Sequence, residues 1–435
     1  YDNLDTVRST EAFLNFIPAA SMEGFRLGLE SIGASRAHQA MMFDQLLDSD
    51  PLFLTGNTDT VYTAVFLNLG RDGPTVVEIP QGSGPSTVND AFFRFVTDMG
   101  APGPDKGKGG KYLILPEAYE GEIPDGYFVA RSPSDVNLMV LRGFLVDGKT
   151  DAAVKSVKEG LKIYPLSQKE SPPPMEFISG SKVAFNTVHA NDFTFFKEIN
   201  GVIQREPVNF IDPELRGLLS SIGIQKGKRF NPDARMERIM TDGIAIGNAT
   251  ARALLLRPRS KSAFYYEDSQ WFTAFIGGDY QWLIDKGNGG RNLDARTAFF
   301  YGYTLNTPAM VLKMVGAGSQ YAVAATDRDG DYLDGNKNYR LHIPPNVPAK
   351  DFWSVVVYDP QTRSELQTSQ PFPSKNNKRD KIQINTDGSV DLYFGQQPPE
   401  GMESNWIQTV PGKGWWAILR LYGPLDPWFD KTWRP

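Results

Sequence analysis

Residues 53–69 read FLTGNTDTVYTAVFLNL. A short apolar run stops at Gly56-Asn57-Thr58-Asp59-Thr60 and resumes at Val61 as a β-branched and aromatic run. Asn and Asp side chains bond nearby backbone and so favour turns. The run that follows has the composition of a buried strand. The stretch therefore predicts a polar turn carrying Asn57, Asp59 and Tyr62 at the mouth of a strand. Such a place suits binding groups. It equally suits an Asx turn in which Asp59 satisfies backbone donors.

Outward from this stretch, strand patterns continue to residue 145: TVVEIP, FFRFVTDM, KYLILP, YFVARSP and NLMVLRGFLV. They return from residue 319 as QYAVAAT, NYRLHIP, DFWSVVVYD, KIQINT, SVDLYF and WWAILRLYG, with Asp387-Gly388 as a hairpin turn. Before residue 53 the pattern predicts helices over 6–14, 21–34 and 34–47, with Thr10 and Ser21 as caps and Pro18 as a break. Between the strand-rich sections, 151–164, 191–204, 213–223, 233–256 and 292–315 read as helices, capped by Asn191, Asp212 and Asp233.

The two strand-rich sections echo each other in order. Tyr62 falls opposite Tyr321, Pro80 opposite Pro344, Phe93 opposite Trp353, and Arg142 opposite Arg420. The expected fold is α+β: two antiparallel β-sandwich, jelly-roll-like modules related by internal duplication, with N-terminal helices and a helical insert between them. The expected boundaries are 1–52 for the N-terminal helices, 53–150 for the first β-module, 151–318 for the insert and 319–435 for the second β-module. Arg142 and Arg420 interrupt otherwise apolar strands. A buried unpaired charge is costly, so each demands a carboxylate, and Asp98 and Asp359 are the candidates.

The chain has 435 residues, 51 acidic and 45 basic, so a net charge of −6. No Lys/Arg block stands out, and no nucleic-acid footprint is expected. There is no cysteine, which excludes disulfides, thiolate catalysis and Cys-ligated metals. The three histidines, His38, His189 and His342, show no metal-ligand spacing. No apolar run is long enough to span a bilayer. The first residue is Tyr1, not Met. A removed leader and a periplasmic or secreted location fit that start and the lack of cysteine; the cytoplasm is the alternative.

The runs FLTGNTDTVYTAVFLNL, KYLILPEAYEGEIPDGYFVARSP and LMVLRGFLV resemble the bacterial domain of unknown function 1254. The runs DRDGDYLDGNKNYRLHIPPNVPAKDFWSVVVYD, NTDGSVDLYF, SNWIQTVPG and ILRLYGP resemble its usual C-terminal companion, the domain of unknown function 1214. The resemblance covers about residues 18–167 and 292–433. It implies a two-β-module protein, often exported, and no settled reaction. Matching residues with functional potential are Asn57, Asp59, Tyr62, Arg142, Trp353, Asn405, Trp406 and Arg420.

Two functional readings follow. In the first, the chain is a cofactor-independent hydrolase or lyase acting on a small polar or saccharide-like substrate. Asp59, with Asp98 or Glu117 as a second carboxylate, is the acid or base and Tyr62 relays the proton; Asn57, Arg142 and Arg420 bind substrate oxygens. In the second, it is a non-catalytic, jelly-roll-like ligand- or surface-binding protein whose tryptophans Trp353, Trp406, Trp415 and Trp416 stack on a ligand or a partner. A homo-oligomer is compatible with both, the Pro/Trp-rich tail covering edge strands. Asp327, Asp329, Asp331 and Asp334 alternate in TDRDGDYLDG. That spacing suits a calcium ion, although Asn338 stands where a calcium loop has Glu. A β-hairpin built on the same Asp and Gly residues is the competing reading.

Overall fold

Helix α1 runs unbroken over Asp2–Ser31 in the computed structural model, which describes all 435 residues. The expected break at Pro18 does not occur. Proline removes one helical hydrogen bond, but α1 is buried on nearly every side from Ala12 to Phe25, and packing outweighs that single loss. Thr10 and Ser21 therefore lie inside the helix rather than at caps; the Thr10 hydroxyl bonds back to Thr6 O at 2.9 Å. Gly24 and Gly28 let α1 approach the chain at 186–189 closely. A Cβ on Gly28 would stand 2.4 Å from Asn186 O, and one on Gly24 2.8 Å from His189 N.

The chain forms two compact units. The first comprises Tyr1–Leu47, Asp59–Arg252 and Thr304–Thr307; the second comprises Asp48–Thr58, Ala253–Tyr303 and Pro308–Pro435.

In the first unit the strands are β1 (Gln39–Met42), β2 (Val61–Asn68), β3 (Thr75–Ile79), β4 (Ser86–Asp90), β5 (Phe95–Met99), β6 (Gly110–Pro116), β7 (Phe128–Ser132), β8 (Val136–Gly143), β9 (Lys162–Pro165) and β10 (Glu176–Ser179). One sheet has the order β10-β1-β2-β8-β4-β5 and the other β7-β6-β3-β9. Strand β1 replaces the helix expected over 34–47: Ala40-Met41-Met42 is a short apolar run, which periodicity alone cannot assign. Strand β4, STVND, carries no apolar alternation and gave no sequence signal. Val61, Val65, Leu67, Val88, Met139 and Leu141 from the first sheet share one apolar core with Val77, Ile79, Tyr112, Ile114 and Ile163 from the second. Each fully buried aliphatic side chain of this kind contributes about 1.5–3 kcal/mol.

The helices after α1 are α2 (Leu69–Asp72), α3 (Asp151–Gly160), α4 (Thr194–Arg205), α5 (Pro213–Ser221), α6 (Ala234–Leu256), α7 (Leu293–Gly302) and α8 (Asp426–Phe429). Asp212 caps α5 by accepting from Leu215 N at 2.9 Å, with Pro213 in the first turn. Asp233 likewise accepts from Met236 N at 2.8 Å. At α4 the Asx turn is made by Asp192, not Asn191. Helix α3 stops at Gly160, where the chain turns into β9, and α7 ends at Gly302 rather than continuing to 315.

The second unit holds β11 (Ser319–Ala324), β12 (Tyr339–Ile343), β13 (Ala349–Tyr358), β14 (Ser374–Asn376), β15 (Val390–Gly395), β16 (Trp406–Gln408) and β17 (Trp416–Pro424). The sheet orders are β11-β17-β13-β14 and β12-β15-β16. Ala322, Trp353, Val355, Val357, Ala417, Leu419 and Leu421 share a core with Ile343, Leu392, Phe394 and Ile407. The fold is thus α+β, with open sheets. Pairing is mainly antiparallel, but β1–β10, β6–β7 and β15–β16 are parallel, which modifies the all-antiparallel expectation. KIQINT is not a strand. Asn405 bonds Gln383 N at 2.7 Å and Gln383 O at 2.9 Å, doing by side chain what a neighbouring strand does by backbone. The Asp387-Gly388 turn does form, with Gly388 at φ 85° and Asn385 N donating to Ser389 O at 2.8 Å.

Candidate ligand site

In the first unit, strands β2 and β8 pair antiparallel with Tyr62 directly opposite Arg142. Alternation along β2 turns Val61, Thr63 and Val65 one way and Tyr62, Ala64 and Phe66 the other. The guanidinium of Arg142 lies over the Tyr62 ring, 5.2 Å from its centroid. Asp59, three residues before Tyr62, is 2 % exposed. Asp98 is not the counter-ion of Arg142. Its Oδ2 accepts from Thr307 Oγ1 at 2.8 Å, and burial pushes its carboxyl above the ordinary carboxylate range. Glu117, the other carboxylate considered beside Asp59, is exposed.

In the second unit, β11 and β17 pair antiparallel with Tyr321 directly opposite Arg420, and β13 places Ser354 on the other side. The Arg420 guanidinium lies over the Tyr321 ring, again 5.2 Å from the centroid. Arg420 is 6 % exposed. Its Nη2 donates to Tyr358 Oη at 2.7 Å and to Thr55 O at 3.0 Å. Tyr358 in turn donates to Gly56 O at 2.7 Å. Asn57 belongs to this unit and donates to Tyr422 Oη at 2.6 Å. Asp359, the expected partner of Arg420, is instead bonded by Lys413 and accepts from Gln361 N at 2.7 Å.

The residues that the sequence placed on one platform are divided between the two units. Asn57 sits with Arg420 and Tyr422 in the second unit, and Asp59 with Tyr62 and Arg142 in the first. Trp353, Trp415 and Trp416 are buried in the second unit. Trp406 is half-buried and its indole N–H donates to Gly395 O at 2.9 Å. The four aspartates at 327–334 do not converge: no group of three or more His, Asp or Glu side chains has a metal-holding arrangement. Asp327 Oδ1 accepts from Asp329 N and Asp331 N, both at 3.0 Å, and Asp334 Oδ1 from Asn336 N at 2.9 Å. These are turns.

Two features gave no linear signal. Tyr358 bonds Arg420, and Trp416 packs on both Tyr358 and Tyr303; Tyr358 shares a face with Ser354 by alternation, so its place was recoverable once Arg420 was read as inward-facing. A polar seam between α1 and α4 also went unseen. Arg205 donates to Glu23 at 2.6 Å and to Glu206 at 3.3 Å. Burial pushes the Glu206 carboxyl up to about 7 and that of Glu198, near Glu23, up to about 8.

A family model described as Protein of unknown function (DUF1254) matches residues 38–165. One described as Protein of unknown function (DUF1214) matches residues 318–426. No curated protein matches the chain. The crystal structure of a Vibrio parahaemolyticus protein is similar with a TM-score of 0.54 and 18% identity, over 97% of this chain and 96% of that one. An uncharacterised protein from Burkholderia cenocepacia is similar at a TM-score of 0.40 and 14% identity, over 98% and 93%. At such identities the first likeness bears on fold alone. No helix is long and apolar enough to cross a membrane. Both models match in order along one sequence, so the chain carries the paired architecture of a domain of unknown function 1254 followed by a domain of unknown function 1214.

Proposed function

We propose that the protein binds a small polar, oxygen-rich ligand through the Arg/Tyr faces of two related modules. The observation that carries this reading is the repetition of one arrangement. In each unit an arginine on a central strand lies over a tyrosine directly across the ladder, 5.2 Å from the ring centroid. Stacking on a ring holds a guanidinium in one orientation and leaves its planar fork of donors aimed, which suits recognition of ligand oxygens. We read the units as copies of one sandwich-like module. In support, β2-β8-β4-β5 and β11-β17-β13-β14 have the same order, all antiparallel. The second sheets agree as well: β3-β6-β7 and β12-β15-β16 each pair antiparallel, then parallel.

The test is a thermal-unfolding screen against small sugars, sugar acids and hydroxy acids. At least one compound should raise the melting temperature of the wild type. An Arg142→Lys variant keeps the charge but loses the fork, and should lose most of that shift. A shift that survives unchanged in the variant, or no shift with any compound, would sink the proposal.

A second reading adds acid–base chemistry of the hydrolase or lyase kind, with Asp59 as acid or base and Tyr62 as relay. It is favoured by the near-complete burial of Asp59 at the entry to β2. Any compound found in the screen would be incubated with wild type and with Asp59→Asn while its product is followed. Turnover should fall at least about 100-fold in the variant, the scale of general acid–base catalysis. Undiminished turnover would remove Asp59 from the role.

A further inference from the structure

Tyr303 follows α7 and is 9 % exposed. Its ring stacks on Phe299 with centroids 5.1 Å apart and meets Trp416 edge-on at 6.2 Å. Trp416 also packs on Tyr358, at 5.0 Å, so the two tyrosines flank one indole. The neighbouring phenols are all engaged. Tyr358 bonds Gly56 and Arg420. Tyr321 shares a 2.7 Å hydrogen bond with Ser319, and Tyr265 donates to Tyr321 O at 2.7 Å. Tyr422 accepts from Asn57. The Tyr303 hydroxyl, by contrast, is buried and has no hydrogen-bond partner. Folding that strands a donor forfeits the hydrogen bond it made to water, and such groups in native structures call for an explanation.

The electrostatics around this hydroxyl are one-sided. Burial pushes the phenol far above its ordinary range; Arg420 pulls it down and does not prevail. The group therefore remains an O–H donor at neutral pH, within the field of a buried guanidinium.

We propose that the Tyr303 hydroxyl and the Arg420 guanidinium form an oxyanion subsite in the second unit, which takes one oxygen of a small carboxylate or phosphate. This rests on the ligand-binding reading above and names the chemical class of the ligand. A donor without an acceptor and a cation held among phenols and carbonyls are both complementary to an anionic oxygen, and hydrogen bonds of that charged kind are the stronger ones.

The experiment measures thermal unfolding and titration calorimetry with sodium phosphate and with sodium acetate, in a buffer free of both. It compares wild type, Tyr303→Phe and, as a control on an exposed tyrosine, Tyr332→Phe. Without anion, Tyr303→Phe should melt about 1–3 °C higher than wild type, because the variant buries no stranded donor. Its affinity for the anion should fall at least about tenfold, which is about 1.4 kcal/mol. Tyr332→Phe should match wild type in both. Phosphate alone binding would assign a phosphate-bearing ligand, and acetate alone a carboxylate. Equal affinity in wild type and Tyr303→Phe would overturn the subsite, as would a wild type that binds neither anion. If neutral sugars from the earlier screen bind while neither anion does, the subsite falls and the broader reading stands. If nothing binds in either experiment, both fall.

Discussion

Replacing Arg205 by Met is expected to lower the unfolding free energy by about 3–5 kcal/mol at neutral pH, the scale for removing one member of a buried ionic network. Arg205 joins two carboxylates that have little access to water. Glu23, on α1, and Glu206, just beyond α4, retain 6% and 0% side-chain exposure. Burial alone would raise the Glu23 carboxyl; hydrogen bonds from Arg26 and Arg205 outweigh it and hold the group below the ordinary range. Glu206 accepts from Asp135 N at 2.6 Å, but burial still lifts it to about 7. Without Arg205, Glu206 would have only backbone donors to offset its charge.

The sign of the pH dependence follows from that upward shift. A carboxyl whose folded pKa exceeds its unfolded value near 4.5 keeps its proton longer in the fold. The stability tied to it is therefore full below pH ~4.5 and declines as pH rises through the folded value. In Arg205→Met the folded value rises further, so the deficit against wild type should be largest near pH 8 and shrink towards pH 5. Urea unfolding at pH 5, 6.5 and 8 reads this directly. A deficit under about 1 kcal/mol at every pH would show that water screens the seam as it screens a surface pair.

What was legible in the sequence divides along physical lines. Long strands with β-branched and aromatic runs, such as β2, β8, β13 and β17, were readable because burial on both faces leaves an unbroken apolar signal. Arg142 and Arg420 were conspicuous because each breaks such a run, and each lies directly across a ladder from a tyrosine, Tyr62 and Tyr321 respectively. The alignment of Phe93 with Trp353 misled. Phe93 lies in the turn between β4 and β5 at φ 54°, whereas Trp353 is inside β13. Strand β4, by contrast, has a sequence, STVND, that is largely polar and yet buried throughout. Its polar groups are satisfied by tertiary contacts, as when Asn89 exchanges hydrogen bonds with Asn306 at 2.7 and 2.8 Å. No local pattern announces a partner more than 200 residues away. The same holds for Asn57 and Asp59. Two residues apart in sequence, they belong to different units, and nothing in FLTGNTDTVYT marks the change between Thr58 and Asp59.

That change makes Arg420 the second residue with a large expected effect. The segment Asp48–Thr58 belongs to the second unit, and its backbone is held by side chains and carbonyls of that unit. Thr55 N donates to Arg363 O at 2.8 Å, and Ser49 N to Pro371 O at 3.1 Å. Gln367 donates to Ser49 O at 2.9 Å. At the inner end, Arg420 and Tyr358 bond the Thr55 and Gly56 carbonyls. Arg420→Met keeps roughly the volume and the apolar stem but leaves Thr55 O without its charged donor and Tyr358 without the donor that orients it. Buried acceptors stranded in this way cost about 1–3 kcal/mol each. A total loss of about 3–4 kcal/mol is expected, less than additive because Tyr358 keeps its bond to Gly56. The loss should also be local. Cleavage by a protease within 48–58 should accelerate at least about tenfold under native conditions, since exposed cleavage sites report local opening. If the variant unfolds earlier in urea but resists cleavage as wild type does, Arg420 supports the sheet and not the segment. If both stay unchanged, its charge is not needed for the fold, and the site is left as the reason for burying a guanidinium among three tyrosines.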